Sequence, residues 1–114
     1  MITQKAKDTF EIFNDGICSF CEIDDDGNAG AVKAAIRYQE RTIGVTRFYE
    51  AMTAKVQVDR LIRIPAQPWM TTEYLAVIGS EVFEIKQVQK INDTLPKTDD
   101  ISLHLTRKRR VSGG

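Results

Sequence analysis

The chain has 114 residues, a length typical of one domain, and its sixteen Lys and Arg residues balance its sixteen Asp and Glu residues. A chain of this length can bury a core without disulfides or a structural metal, so a single domain over residues 1–114 is expected. A net charge of zero excludes a strongly basic nucleic-acid or membrane binder and leaves only local contacts. Two cysteines and no apolar leader favour the cytoplasm over export.

The first part of the chain predicts two strands joined by an acidic loop. Residues 1–12 are polar and mixed in charge, which indicates a loose N-terminal leader, and turn formers at 14–16 then break the chain. Period-two alternation predicts a first strand over residues 17–23 and a second over residues 32–41. Residues 24–30 between them are turn formers and predict a mobile loop.

A helix is expected after the second strand. Within residues 44–54, Val45, Phe48, Tyr49 and Met52 stand at the i, i+3, i+4 and i+7 positions of one apolar stripe. A helix of about three turns is too short to be stable alone in water. Its stripe should therefore cover an open end or side of the sheet.

The second half of the chain predicts four more strands. Period-two patterns cover residues 55–64, 74–78, 82–91 and 101–106. Gly79 and Ser80 separate the second and third of these strands and suit the two-residue type II′ turn of a tight hairpin. The alternation changes phase after Ile85, which predicts a β-bulge in the second arm of that hairpin.

Together these elements predict a mainly β fold, a small antiparallel barrel of SH3 or OB size with one short α-helix after the second strand. Closure of a barrel removes the exposed strand edges that promote aggregation. The basic run that follows the last strand, together with the final Ser-Gly-Gly, predicts a flexible C-terminal tail over residues 107–114.

The candidate redox and metal motifs are weak. Cys18 and Cys21 have C-x-x-C spacing, but residues i and i+3 of a strand face opposite ways, and a redox pair normally begins a helix. Glu22, Asp24 and Asp26 fit early positions of a calcium loop, whereas a lysine stands where the loop needs its bidentate glutamate. We therefore expect two buried cysteines, a solvated acidic loop and no metal.

The remaining candidate sites do not indicate catalysis. His104 is the sole histidine and falls on the polar phase of the last predicted strand, with no nucleophile elbow, phosphate loop or H-E-x-x-H sequence in the chain. We expect a protein that is not an enzyme and holds no cofactor. Arg107, Lys108, Arg109 and Arg110 form a candidate contact with DNA or a protein partner, or else a solvated chain end.

Several segments, taken in order, resemble the head-closure proteins of long-tailed bacteriophages, also called stopper or head-tail joining proteins. The matching segments are Phe13-Asn14-Asp15-Gly16, residues 36–51, residues 58–65, residues 82–89 and residues 100–105. They cover most of the chain and leave out the leader and the extreme C-terminus.

This resemblance implies a structural virion protein of the phage neck, made in the bacterial host cytoplasm and not bound to a membrane. Its copies would form a homo-oligomeric ring of roughly six or twelve. The implied partners are the portal-adaptor complex, tail-terminator or other tail proteins, and the packaged double-stranded DNA. A loop from each subunit would project towards the axis and hold back the DNA. The matching channel loop comprises Asp24, Asp25, Asp26, Gly27 and Asn28.

Two other interpretations remain open. A tail-terminator or another head-tail connector subunit would have a similar small β architecture. A barrel-type nucleic-acid-binding module is suggested by the basic tail and by Arg37, Arg60 and Arg63, which fall on exposed phases of their predicted strands. Tight, salt-dependent DNA binding by the isolated protein would favour the module.

Overall fold

The computed structural model describes residues 10–41 and 58–108. The strands in these ranges are β1 (Gly16–Ile23), β2 (Ala29–Arg41), β3 (Arg60–Pro65), β4 (Tyr74–Ile78), β5 (Glu81–Ile91) and β6 (Thr98–Lys108). These ranges contain no helix, and the helix predicted over residues 44–54 lies outside them. Accordingly, no helix of the described ranges is long and apolar enough to cross a membrane.

The six strands form one antiparallel sheet that closes into a ring in the order β1-β2-β3-β6-β5-β4. The prediction of a mainly β, antiparallel fold is confirmed. β1 pairs with β2 from Gly16↔Tyr38 to Ile23↔Ala29, which makes a long hairpin. β2 and β3 pair only between residues 39–41 and 61–63. Most of β2 is therefore joined to the described sheet through β1 alone.

The core fills the inside of this ring with side chains from alternate strand positions. Its large, fully buried members include Phe20, Phe83, Ile62, Ile64, Ile101 and Leu103. In β1 the inward phase holds Cys18 and Phe20, while Ile17 on the other phase is 53% exposed. In β6 the predicted inward phase of Ile101 and Leu103 is confirmed.

A second, smaller apolar cluster lies on the opposite face of the sheet. It contains Cys21, Leu75, Val77 and Val82, all of them buried. Leu75 and Val77 alternate along β4 with Ala76, which belongs to the inner core, so the two clusters lie on opposite sides of the same strand.

The connection between β3 and β4 closes part of the interior. Trp69 packs edge-on against Phe20, with ring centroids 6.2 Å apart, and against Tyr74, with centroids 5.3 Å apart. Met70 beside it is buried in the core. In the described part of the chain, an irregular connection thus covers core residues, a role that the sequence assigned to a helix.

The most specific local predictions concern the β4–β5 hairpin, and both are confirmed. Ile78 pairs with Glu81 around a two-residue turn in which Gly79 has a φ of +61°, a conformation that glycine adopts without steric cost. The β5–β6 register shifts between Ile85 and Gln87, which is where the change of phase predicts a bulge.

Several strand boundaries differ from the predicted ones, and β2 and β6 each begin three residues earlier than predicted, at Ala29 and Thr98. β3 begins at Arg60. The Asp59 amide just before it donates to the Leu103 carbonyl at 2.7 Å, and the Asp59 carboxylate accepts a hydrogen bond from the Leu105 amide at 2.7 Å, so a side chain replaces a backbone carbonyl in this contact with β6. β6 continues to Lys108, with Arg107 opposite Val82. The basic run therefore starts inside a strand, since backbone pairing does not depend on side-chain charge.

Candidate functional site

The predicted channel loop is the tip of the β1–β2 hairpin. Residues 24–28 connect Ile23 to Ala29, which form the last pair of that hairpin. The final pair between β1 and β4 is Glu22↔Tyr74, one residue before this point. The tip thus lies beyond the last β1–β4 pair, and Asp25 and Asp26 within it are exposed.

One carboxylate organises this tip. Asp24 Oδ1 accepts hydrogen bonds from the Asp26 amide at 2.9 Å and from the Asn28 amide at 2.8 Å. The Asp24 amide donates to the Asn28 carbonyl at 2.8 Å, and Gly27 has a φ of +82°. A short aspartate side chain reaches backbone amides two to four residues ahead, so residues 24–28 form a tight hydrogen-bonded turn, and β2 begins within the predicted loop at Ala29.

The acidic residues at the tip other than Asp24 supply negative charge that the hydrogen bonds of the turn do not use. Glu22, Asp25 and Asp26 are exposed, and they form no ion pair with the described residues. The Asp24 carboxylate, which a calcium loop would require as a ligand, already accepts hydrogen bonds from two amides of its own turn. Across residues 10–41 and 58–108, no group of three or more potential metal ligands converges.

Arg60 points into the ring, which corrects its assignment to an exposed phase. Its guanidinium lies 2.6 Å from Glu40 Oε1, donates to the Tyr38 hydroxyl at 3.2 Å and sits 5.4 Å from the centre of the Phe83 ring. The hydrogen bond to Glu40 raises the pKa of Arg60 further above its ordinary value. An ion pair and stacking on aromatic rings explain how a cation occupies the apolar phase of β3.

Arg63 is also neutralised. It holds Asp100 through two hydrogen bonds of 2.6 and 3.0 Å, and it lies 3.3 Å from Glu11 Oε2. The three side chains are only 9–13% exposed, and the hydrogen bond to Asp100 raises the pKa of Arg63. Glu11, within the predicted leader, is thereby docked on the sheet, and its amide donates to the Leu95 carbonyl at 3.0 Å.

The other predicted contact residues lie apart from the acidic tip. Arg107 and Lys108 lie in β6, and Lys108 pairs with Glu81 beside the β4–β5 turn. Arg109 and Arg110 lie outside the described residues. Because the acidic tip is near the start of β4 and this turn is at its end, the structure does not bring the two candidate sites together.

Both cysteines are buried and reduced, and they belong to different clusters. Cys18 lies in the inner core and Cys21 in the cluster on the opposite face, which confirms that their spacing separates them. Burial raises the pKa of the Cys18 thiol to about 12. A thiol of this kind is the reverse of the activated thiolate that redox chemistry requires.

The raised pKa predicts a loss of folding stability at high pH. In the unfolded chain the Cys18 thiol ionises near pH ~8.5, whereas in the folded protein its pKa is about 12. Above the first value the unfolded state binds fewer protons, so the free energy of unfolding should fall by up to about 1.4 kcal/mol per pH unit. Urea denaturation across this range measures the slope, and the Cys18→Ala variant should lose that contribution. An equal slope in the variant would contradict the assignment.

His104 makes a structural contact. Its Nδ1 lies 2.9 Å from Oδ2 of Asp59, the same oxygen that accepts the Leu105 amide. No serine or threonine hydroxyl of the described residues hydrogen-bonds to the imidazole ring. The pair therefore fixes the start of β3 against β6.

Sequence reasoning missed the buried Asp99. Its side chain is fully buried, and its Oδ2 accepts hydrogen bonds from the Gln67 amide at 3.0 Å and from Lys90 Nζ at 3.1 Å. Oδ1 also lies 3.1 Å from that ammonium, although without hydrogen-bond geometry. Extending the inward phase of Ile101 by one strand period would have placed Asp99 inside the ring.

The described residues form a small closed antiparallel sheet that carries an exposed acidic hairpin tip. Comparison with protein-family models, with curated proteins and with solved structures found no match to this chain.

Proposed function

We propose that this chain is a structural, non-enzymatic protein of a long-tailed phage neck. Its copies form a ring that closes the portal-adaptor DNA channel after packaging and provides an attachment surface for the tail. The resemblance of ordered sequence segments supports this proposal, and so does the compact β architecture. The single structural observation that carries it is the acidic turn at the end of the β1–β2 hairpin.

The position and charge of this turn suit a barrier that holds back DNA in the channel. Asp25 and Asp26 are exposed at the end of a long hairpin and have no cationic partner among the described residues. In a ring whose tips face the axis, these carboxylates repel the phosphate backbone, and salt screens that repulsion over about 10 Å at 0.1 M. The repulsion is therefore strongest where several tips approach the DNA together.

The hydrogen-bonded shape of the turn suits the same role. The hydrogen bonds to Asp24 keep the tip compact, so it resists DNA by position as well as by charge. Opening of the channel then requires movement of whole hairpins. Because β1 pairs with β4 over residues 19–22, each hairpin would move together with the sheet of its own subunit.

The arginines count against a nucleic-acid-binding module. Arg60 and Arg63 are committed to carboxylates, and only Arg37 of the three candidates is exposed without an ion pair in the described ranges. A tail-terminator or another connector subunit shares the remaining features. Its position in the particle distinguishes that role from channel closure.

Neutralising the tip tests the proposed role. The Asp25→Asn/Asp26→Asn double variant keeps Asp24 and should keep its folding stability within ~0.5 kcal/mol. Filled heads assembled with this variant should release more DNA, measured as the nuclease-sensitive fraction of the packaged genome. Asp93→Asn removes an exposed acid from the β5–β6 connection and serves as the control. Unchanged DNA retention in normally assembled particles would contradict the acidic stop.

A further inference from the structure

The first described residues turn a charged side chain inward and apolar side chains outward. The Glu11 side chain is 9% exposed and lies 3.3 Å from Arg63. Its neighbours Phe10 and Ile12 are 77% and 62% exposed, because side chains of an extended segment alternate. Leu95, which forms a bridge with Phe10, is 46% exposed. Phe10, Ile12 and Leu95 thus form one exposed apolar cluster, which we call the strap patch.

A second set of exposed apolar side chains lies on the outer face of the β1–β2 hairpin. Ile17 and Val32 are 53% and 60% exposed, and Ala35 is also exposed. Ala35 pairs with Ser19 and Val32 pairs with Cys21, and both partners share the phase of Ile17 along β1. Directly paired residues point to the same side of a sheet. Ile17, Val32 and Ala35 therefore share one face, which we call the hairpin patch.

The two patches lie on different flanks of the closed sheet. The strap patch lies beside β3 and the β5–β6 connection, where Arg63 and Leu95 contact Glu11. The hairpin patch lies on β1 and on the part of β2 that follows the acidic tip. In the ring β2 separates β1 from β3, and its polar residues Arg37 and Gln39 stand between the two patches. The patches therefore face different directions.

The size of each patch indicates a contact that is weak by itself. Hydrophobic residues that are exposed singly are normal on a monomer, whereas clusters of them mark interaction sites. A stable interface between two proteins buries roughly 800 Å² on each partner, which is more than three side chains supply. Contacts of this size suit an assembly in which every subunit makes two of them.

A second copy of this chain accounts for both patches at once. If two strap patches met, the contact would be complete after two copies, and both hairpin patches would stay exposed. If the strap patch of one copy packs on the hairpin patch of the next, both patches of every copy are covered. Such a contact joins different surfaces of the two copies, so it can repeat until a ring closes.

We infer that copies of this chain associate by packing the strap patch of one copy on the hairpin patch of the next. This inference rests on the proposed neck ring for the closure of the assembly, and it identifies the surfaces that build that ring. The acidic tip lies outside both patches.

Cysteine cross-linking of the purified 114-residue chain tests this pairing. Lys97→Cys places a thiol beside the strap patch and Ala35→Cys places one within the hairpin patch, and both native side chains are exposed. With a short bismaleimide, a mixture of the two single variants should give the mixed dimer as its main product. The chain with both substitutions should give a ladder of covalent oligomers. The native Cys18 and Cys21 are buried and should react slowly.

Two matched changes show whether the patches carry the contact. Phe10→Ser/Ile12→Ser in the chain with both cysteines should abolish the ladder. It should leave the midpoint of urea denaturation nearly unchanged, because both native side chains are largely exposed. Moving one thiol from position 97 to Glu73, an exposed site outside both patches, should also abolish the ladder.

Three outcomes would overturn the inference. Dimers of like variants as the main product of the mixture would show that identical surfaces meet. A ladder that survives Phe10→Ser/Ile12→Ser would show that the strap patch does not carry the contact. A lack of cross-links both in solution and in phage particles whose neck contains the chain would show that other surfaces build the ring. Cross-links in solution combined with particles that lack the chain would contradict the neck role and leave the inferred contact intact.

Discussion

Replacing Arg63 with Met should destabilise the fold by about 3–5 kcal/mol, because the change leaves two nearly buried carboxylates without their cation. Asp100 and Glu11 both contact the guanidinium, and their side chains are only 13% and 9% exposed. Since a small domain has about 5–15 kcal/mol of folding free energy, the loss is a large part of the total. Urea denaturation of the purified variant measures it.

A triple variant separates lost charge pairing from lost packing. Arg63→Met combined with Asp100→Asn and Glu11→Gln removes all three charges and should recover a large part of the stability. A loss below about 1 kcal/mol for Arg63→Met alone would place this network at the solvated surface. It would also show that the ion pair of Arg63 with Glu11 contributes little to the docking of residues 10–15 on the sheet.

Truncating Phe20 to Ala should cost about 3–5 kcal/mol, the range for a large aromatic side chain in a packed core. Phe20 is fully buried and contacts Trp69 edge-on, so its loss also leaves a gap beneath the β3–β4 connection. Ile17→Ala in the same strand should cost much less, because Ile17 is 53% exposed. Equal losses for the two variants in thermal or urea denaturation would contradict the inward phase of β1.

Local chemistry explains which elements the sequence predicts well. The β4–β5 hairpin follows from a glycine that adopts positive φ between two alternating segments, and both signals lie within a few residues. The bulge after Ile85 follows in the same way from a break in alternation. These features depend on neighbours in the sequence, so the sequence contains the information needed to predict them.

Features that depend on distant contacts were not predictable. In β1 both phases contain apolar residues, so alternation alone does not decide that Phe20 faces inward and Ile17 outward. Arg60 occupies an interior position because Glu40 and the Phe83 ring come from other strands. Such contacts join residues far apart in the sequence, and only the closed sheet brings them together.

The candidate site also combines features that depend on neighbours in the sequence with features that depend on distant contacts. The sequence places the acidic loop between the first two strands, and the structure locates those residues at the hairpin tip. The hydrogen bonds from the Asp26 and Asn28 amides to the Asp24 carboxylate were not foreseen, although an aspartate followed by a turn sequence is a known signal for them. The pairing of Arg63 with Glu11 had no local signal, since the two are far apart in the chain.

Cryo-electron microscopy of the neck in purified phage particles tests the central proposal most directly. The proposed function predicts a ring of this chain beneath the portal-adaptor complex, with residues 24–28 of each copy directed towards the channel axis. Particles whose neck lacks this chain, or a ring in which those tips face away from the DNA, would contradict it.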